Sequence, residues 1–291
     1  VSVHLACESL KNRESDICLA GGVSVNVPQK TGYLYHQNAI FSKQGQCRAF
    51  DADADGTVPG SGAGVIVLKR LEDAIADRDN IYAVIKGSAV NHSGAWSEDF
   101  SKPSLEGQLD VISKALSVSG IDPSTISYVE ANGIGLPDYD SVEINALAKA
   151  FNELTSKKSY CAVGSVKSNI GYLNAAAGMD GLIKLIFMLK DRQIPPIVNF
   201  DCPNPLIDFN GPFYINKELS PWENYEKPLR ASINSYDVRG TNVHIILEEA
   251  PKAGIIKKES RDSLLTISAR SKEALEKMTE NLACYIKENP H

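Results

Sequence analysis

The chain has 291 residues, 43% hydrophobic and 23% charged, with a formal net charge of −6. That length suits one large domain or two ordinary ones, and the mildly acidic balance argues against nucleic acid or an anionic membrane as partner. Cys7, Cys18, Cys47, Cys161, Cys202 and Cys284 form no CxxC pair and have no histidine at metal-ligand spacing, so they read as reduced thiols of a cytoplasmic protein, with no metal expected.

The opening VSVHLACESLKNRESD is charged too soon for a targeting segment, and the apolar run at 182–189 is broken by Lys184 short of membrane-spanning length. The first residues read as the second half of a helix, with Val1, Leu5 and Ser9 on one face, so part of the domain is expected upstream. Residues 16–25, DICLAGGVSV, read as a buried strand ending in a glycine-rich turn. Residues 28–43 read as a loop. Asp51, Asp53, Asp55 and Gly56 mimic the start of a calcium loop, but the position of its closing glutamate is Gly62, which excludes calcium. Gly60, Gly62 and Gly64 mimic a dinucleotide fingerprint, yet they precede the strand at 65–68 instead of following one. A tight acidic turn with close backbone packing is the reading that remains.

Residues 72–77 read as a short helix and 81–90 as a strand, with Ile81, Ala83 and Ile85 alternating against more polar neighbours. Leu105, Leu109, Ile112 and Leu116 predict an amphipathic helix over 103–120, with Gly120 past its end. A strand over 126–131 leads to Asn132-Gly133-Ile134-Gly135. Asp140 is expected to cap the next helix with Glu143 as capping-box partner, and Ile144, Leu147, Ala148, Phe151 and Leu154 form its apolar face. A strand over 160–166 runs through a turn at Gly171 into a helix apolar nearly all round, from Ala175 to Leu189, which predicts burial. Its small start, Ala175 to Gly178, admits a second backbone, and Lys190, Arg192 and Pro195-Pro196 mark its end. Residues 213–215 read as a short strand. Residues 229–236 and 242–248 read as an antiparallel pair joined by Asp237-Val238-Arg239-Gly240. Pro251 marks a boundary, 257–262 a polar linker, and Ser271 the start of a last amphipathic helix with Leu275, Met278, Leu282 and Ile286. The division is therefore 1–250 and 251–291, and the alternation of strands and helices predicts an α/β fold with layered sheets.

Several motifs, taken together and in order, carry a resemblance: LAGGVSV (19–25), CRAFDADADGTVPGSGAGVIVLKRLEDA (47–74), YAVIKGSAVNHSG (82–94), PSLEGQ (103–108), YVEANGIG (128–135), AVGSVKSNIGYLNAAAGMDGLIK (162–184), RQIPP (192–196), PNPLIDF (203–209) and GTNVHIILEEAP (240–251). The chain resembles the C-terminal half, or somewhat more, of a β-ketoacyl synthase domain from a modular polyketide synthase. The resemblance implies a thiolase-like α/β/α/β/α fold, a homodimer, and acyl substrates carried on the phosphopantetheine arm of acyl carrier proteins. Neighbouring synthase domains are the other implied partners, and no bound cofactor is implied. The segment after Pro251 resembles the linker that follows such domains, and the polar stretch at 257–262 resembles the branch supplied by a separate acyltransferase.

The family's chemistry is a decarboxylative Claisen condensation. A cysteine at a helix N-terminus takes the acyl chain, and two histidines assist malonyl decarboxylation and stabilise the enolate. The resemblance places the nucleophilic cysteine upstream of Val1, and Cys7 matches a buried thiol further along that helix. Asn132 stands where the first histidine of an EAHGTGT motif is expected, and Tyr172 where the second follows Asn-Ile-Gly. Both side chains donate hydrogen bonds, but neither replaces an imidazole for proton transfer near neutrality. Lys167 matches the lysine that orders the second histidine and is expected to hydrogen-bond Tyr172. In the loop related to SFGxGGTNxH, Tyr236 stands at the phenylalanine gate, Asp237 and Arg239 replace two glycines, and Gly240 and Thr241 are kept. That loop supplies a backbone N–H to the oxyanion hole in the family. His244 matches a strand histidine with a structural role. Three readings stay open at this point: a non-elongating ketosynthase that only transfers acyl chains, a structural or docking domain, and a different reaction in the same pocket.

Overall fold

In a computed structural model, strands and helices alternate along the chain as the sequence predicts. The order is α1 (Ser2–Lys11), β1 (Ile17–Ser24), β2 (Gly62–Lys69), α2 (Leu71–Ala76), β3 (Ala83–His92), α3 (Leu105–Ser119), β4 (Tyr128–Glu130), α4 (Pro137–Asn152), β5 (Cys161–Gly164), α5 (Lys167–Ile170), α6 (Ala177–Asp191), β6 (Gln193–Ile194), β7 (Phe213–Ile215), β8 (Ser220–Pro221), β9 (Arg230–Tyr236), β10 (Thr241–Glu249) and α7 (Lys272–Glu288). The structure describes residues 1–28, 32–37, 39–96, 102–224, 227–237, 239–251 and 265–289; Val238 and the expected linker at 257–262 lie outside these. Two units are distinguished, Val1–Pro251 and Lys252–His291.

In the first unit a six-stranded sheet has the order β3-β10-β9-β4-β5-β7. β3, β10 and β9 pair antiparallel, while β4 runs parallel to both β9 and β5, and β5 parallel to β7. Helices α3 and α4 cover one face through Val111, Ile112, Ile144, Leu147 and Phe151, packed on Val129, Val163 and Phe213. On the other face α6 presents Leu182, Leu185 and Leu189 to Ile233, Val243 and Leu247. Its far side meets the antiparallel β1–β2 pair, so helix layers alternate with sheets. Each such fully buried side chain contributes roughly 1.5–3 kcal/mol from removal of apolar surface from water.

Several expectations are corrected in detail. β1 is buried on one face only: Ala20 points inward, whereas Ile17, Leu19 and Val23, with Val65 and Val67 of β2, stay exposed. Successive strand residues alternate sides, and only the inner side of this pair meets α6. In α1 the buried stripe is Val3 and Leu10, with Ala6 and Cys7 against it, while Val1 and Leu5 face outward. The buried face of α3 is Gln108, Val111, Ile112, Ala115 and Leu116, which moves Leu105 and Leu109 to its edge. The cap of α3 is Ser104, whose Oγ accepts from Gly107 N, and Gly120 closes the helix in the left-handed region. Leu154 lies past the end of α4 and is exposed. Helix α6 is not buried all round, since Phe187 is half-exposed. The small residues before it do admit another backbone: a Cβ on Gly22 of β1 would stand 2.6 Å from Ala175 O.

The aspartate-rich turn holds itself together with hydrogen bonds. Asp51 accepts from the backbone N–H of Asp53, Asp201 and Cys202 at 2.7–3.0 Å, and Asp55 accepts from Ser42 and Lys43. In the second unit, Ser271 caps α7 by accepting from Ala274 N. No helix among the described residues is long and apolar enough to cross a membrane.

Candidate active site

Parallel pairing of β4 with β5 and with β9 brings the C-terminal ends of three strands to one edge of the sheet. Loops at such ends are where α/β sheets bind ligands. Residues 131–136 leave β4 there, 165–171 leave β5, and 237–240 leave β9. The sequence-predicted residues Asn132, Lys167, Tyr172, Tyr236, Asp237 and Gly240 therefore meet although they span more than a hundred residues of chain.

The loop after β4 is held by two carboxylates from α4. Glu143 accepts from Asn132 N at 2.7 Å, from Gly133 N at 2.8 Å and from Asn234 Nδ2 at 2.8 Å. Asp140 accepts from Ile134 N at 3.0 Å and Phe50 N at 2.8 Å. Neither side chain caps α4 as the sequence pattern predicts. Pro137 occupies the first turn, the cap residue Leu136 makes no side-chain bond, and Asp140 and Glu143 turn inward to the loop amides. Burial pushes Asp140 up to about 7 and raises Glu143. Asn234 passes the network on: its amide donates to Glu143, so its oxygen accepts from His244 Nδ1 at 2.6 Å. Burial drives His244 down to about 3, so it is neutral near pH 7. This arrangement contributes stability above the ordinary histidine range that is lost as the pH falls toward 3.

The loop after β5 presents Lys167 and Tyr172. Lys167 is buried, and its Nζ donates to Asn132 O at 2.6 Å and Asn132 Oδ1 at 3.2 Å. The expected hydrogen bond to the Tyr172 hydroxyl is replaced by these two, and Nζ lies over the Tyr172 ring, 5.9 Å from its centroid. The asparagine oxygens supply the acceptors that a buried ammonium needs, which the ring face does not. Gly171 sets the chain direction with φ +78, and a Cβ there would lie 2.6 Å from Val58 O. Burial, then Asp237, raises Tyr172, which keeps its hydroxyl protonated.

The β9–β10 turn closes the site. Tyr236 N donates to Asn132 Oδ1 at 3.4 Å, so this loop amide and Lys167 share one acceptor. Asp237 N donates to Thr241 O and Gly240 N to Asp237 O, both at 2.9 Å. Asn132, Tyr172, Tyr236, Asp237 and Gly240 line a small cavity of about 30 Å³. Tyr172, Tyr236, Asp237 and Thr241 line a wide one of about 770 Å³, which also reaches Val1 and Ser2 at the start of α1. Cys7 lies in the body of α1, half-buried, and burial raises its thiol, the reverse of an activated thiolate.

Sequence reasoning read Asp140 and Glu143 only as a capping box and overlooked Asp180. Asp180 sits in the first turn of α6 with one carboxylate oxygen buried and unpartnered among the described residues. Burial pushes it up to about 6, with Lys167 only partly opposing. A carboxyl raised from 3.8 to that value penalises the fold above pH ~6, and the penalty vanishes as the pH falls to 3.8. Asp180→Ala is therefore expected to gain about 2 kcal/mol at pH 8 and nothing at about pH 4, read by urea unfolding; an equal gain at both would show that ionisation is not the cause.

Models of three parts of one family match consecutive stretches: the β-ketoacyl synthase N-terminal domain over 1–74, the β-ketoacyl synthase C-terminal domain over 82–201, and the ketoacyl-synthetase C-terminal extension over 203–291. The chain belongs to the β-ketoacyl synthase family. Among curated relatives, this ketosynthase is 40% identical over 294 residues to the polyketide synthase PksL of Bacillus subtilis, covering 99% of this chain and 6% of that protein. It is 47% identical over 253 residues to a phenolphthiocerol/phthiocerol polyketide synthase of Mycobacterium tuberculosis, covering 86% of this chain and 17% of that protein. Among solved structures, the ketosynthase from module 6 of the Bacillus subtilis bacillaene synthase superposes with a TM-score of 0.81 at 40% identity, over 99% of this chain and 51% of that one. Ketosynthase twelve of the Bacillus amyloliquefaciens bacillaene polyketide synthase gives 0.85 at 36% identity, over 100% and 51%. The fold is thus the thiolase-like α/β fold of polyketide synthase ketosynthases, and the chain spans about half the length of those solved chains.

Proposed function

We propose that this ketosynthase passes an acyl chain from one carrier protein to the next without decarboxylating malonyl or extending the chain. One observation carries the reading. Asn132 and Tyr172 line the same small cavity, with Lys167 and the Tyr236 amide converging on Asn132 Oδ1, and no imidazole lines it among the described residues. Condensation needs proton-transfer groups there, each worth typically 10²–10⁴-fold, or about 3–5 kcal/mol. Acyl transfer needs only a thiolate and hydrogen-bond donors to an oxyanion, without a proton-transfer pair at positions 132 and 172. The nucleophile is the cysteine that family resemblance locates before Val1. The substrates we assign are acyl groups on the phosphopantetheine arm of carrier proteins, handled by a homodimer among neighbouring synthase domains. The polar stretch at 257–262 supports assignment to the branch with a separate acyltransferase.

A second reading, a structural domain without turnover, is favoured by the β9–β10 turn, where Asp237 N and Gly240 N are already bonded within the turn. Intact-protein mass spectrometry separates the two. The complete domain is incubated with an acyl-loaded carrier and then with a malonyl-loaded one. The expected result is an acyl adduct that moves to the second carrier at unchanged length. Absence of any adduct supports the structural reading, and a product two carbons longer refutes both.

A further inference from the structure

Two Asn-Gly pairs occur in the chain, Asn132-Gly133 and Asn210-Gly211. An asparagine before glycine is open to side-chain cyclisation, because glycine puts no Cβ in the way of its own amide nitrogen. That nitrogen bonds to the asparagine Cγ, its proton passes to solvent, and the side-chain nitrogen leaves as ammonia. Water then opens the succinimide at either carbonyl, giving aspartate or isoaspartate. The net change is amide plus water to acid plus ammonia, with no oxidant or reductant. The ring closes only if the peptide between the two residues swings toward Cγ, so whatever holds that peptide sets the rate.

The two pairs are held differently. Both ends of the 132–133 peptide are fixed: Asn132 O accepts from Lys167 Nζ at 2.6 Å, and Gly133 N donates to Glu143 Oε2 at 2.8 Å. A Cβ on Gly133 would lie 2.8 Å from both Phe50 Cζ and Ser165 Cβ, so the peptide has little room to turn. Glu143 adds a chemical obstacle, since a carboxylate beside a nitrogen that must become an anion opposes loss of its proton. Lys167 works partly the other way, because it polarises Asn132 Oδ1 from 3.2 Å. The 210–211 peptide has neither restraint. Asn210 is exposed, and Gly211 N has no hydrogen-bond partner among the described residues. Ser159 N donates to Gly211 O, which belongs to the next peptide. A Cβ on Gly211 would meet only Asn152 Nδ2, at 3.8 Å. Asp208 Oδ1 accepts from Asn210 N and Nδ2, which orients that side chain and leaves the peptide after it free.

We propose that Asn210 is a deamidation site, and that Glu143 keeps Asn132 from becoming a second one. The inference holds whether or not the domain transfers acyl chains. At Asn132 the conversion would set a new carboxylate against the buried Lys167, or lengthen the main chain of the loop by one methylene.

The complete domain is held at mildly alkaline pH, sampled over time, digested and mapped by mass spectrometry. In native buffer Asn210 is expected to convert to the acid, with Asn132 slower by about 10-fold or more, because Asn132 reacts only through local opening. In denaturing urea the two rates should fall within about 3-fold of each other, since the same dipeptide then lacks its restraints. Glu143→Gln, in native buffer, is expected to speed conversion at Asn132 by about 5-fold or more, as a buried N–H loses its acceptor. Asp140→Asn is the control for general loosening of the loop: it disturbs the bonds to Ile134 N and Phe50 N but not the one to Gly133 N, and should leave the Asn132 rate within about 2-fold of the parent. Conversion of Asn132 as fast as Asn210 in the native parent overturns the proposal, as does an Asn210 that stays intact there. Equal acceleration in both variants, or none in Glu143→Gln, removes Glu143 from the role.

Discussion

Glu143→Ala is expected to cost about 4 kcal/mol or more and to release the loop that carries Asn132. Glu143 is 2% exposed and is the common acceptor for Asn132 N, Gly133 N and Asn234 Nδ2. Alanine leaves three donors in the interior, each costing roughly 1–3 kcal/mol when unsatisfied, and adds the cavity of the lost side chain. The damage extends to His244, whose Nδ1 is oriented by Asn234. Glu143→Gln keeps one acceptor oxygen but turns an N–H toward a donor, so a smaller loss of about 2 kcal/mol is expected. Urea unfolding measures both, and amide hydrogen exchange at Asn132 and Gly133 should accelerate more in the alanine variant than at Val129 in the adjoining strand. An alanine variant within about 1 kcal/mol of the parent would show that the loop is held by something other than this carboxylate.

The same residue shows what the sequence made legible and what it hid. Asp140 and Glu143 have the spacing of a capping box, and local pattern reads them as helix punctuation. Tertiary packing turns both toward the loop after β4, because that loop's amides have no other acceptors once buried. The signal available was the combination of two acids with Ile144, Leu147 and Phe151: acids on a helix this apolar stand beside the core, where a carboxylate needs donors. Gln108 hid for a related reason. Leu105 and Leu109 define a stripe one step round the helix from the one that packs, and the true face includes a glutamine that hydrophobicity counting sets aside. Strands were easier to read where apolar residues run together, as Val243, Ile245, Ile246 and Leu247 do in β10. Their burial was not: Leu19 and Val67 are as apolar as Val129, yet both are exposed in this chain, which spans about half the length of the solved ketosynthases it matches. The meeting of Asn132, Lys167 and Tyr236 came through motif resemblance, because no local rule pairs strands this distant. Even so, the partner of Lys167 was misassigned, since a cation's choice between a carbonyl and a phenol depends on distances of a few ångströms.

Restoring both imidazoles is expected to convert transfer into extension. In Asn132→His/Tyr172→His, the product of an acyl-loaded and a malonyl-loaded carrier should become two carbons longer. The rate should rise on the order of 10²–10⁴ above the parent for each group that functions in the transition state. The singles are expected to fall far short of that product, because groups acting on one transition state are not additive. Position 132 carries the larger structural change. Asn132 Oδ1 now receives Lys167 Nζ and Tyr236 N, and a histidine there removes that shared acceptor. Its neutral imidazole offers one acceptor nitrogen, while Lys167 keeps its bond to the main-chain oxygen of residue 132. The Tyr236 amide is then free to face a thioester oxygen. Position 172 changes less, since histidine is smaller than tyrosine and Lys167 already lies 5.9 Å above the ring it replaces. Carbon dioxide release from malonyl carrier, followed with product mass, separates the outcomes. Release without a longer product would assign decarboxylation to the histidines and the residual block to the Asp237–Gly240 turn. Extension by the unmodified domain, with Asn132 and Tyr172 in place, would end the transfer-only reading, since an amide that does not titrate and a phenol that stays protonated would then be doing an imidazole's work near neutrality.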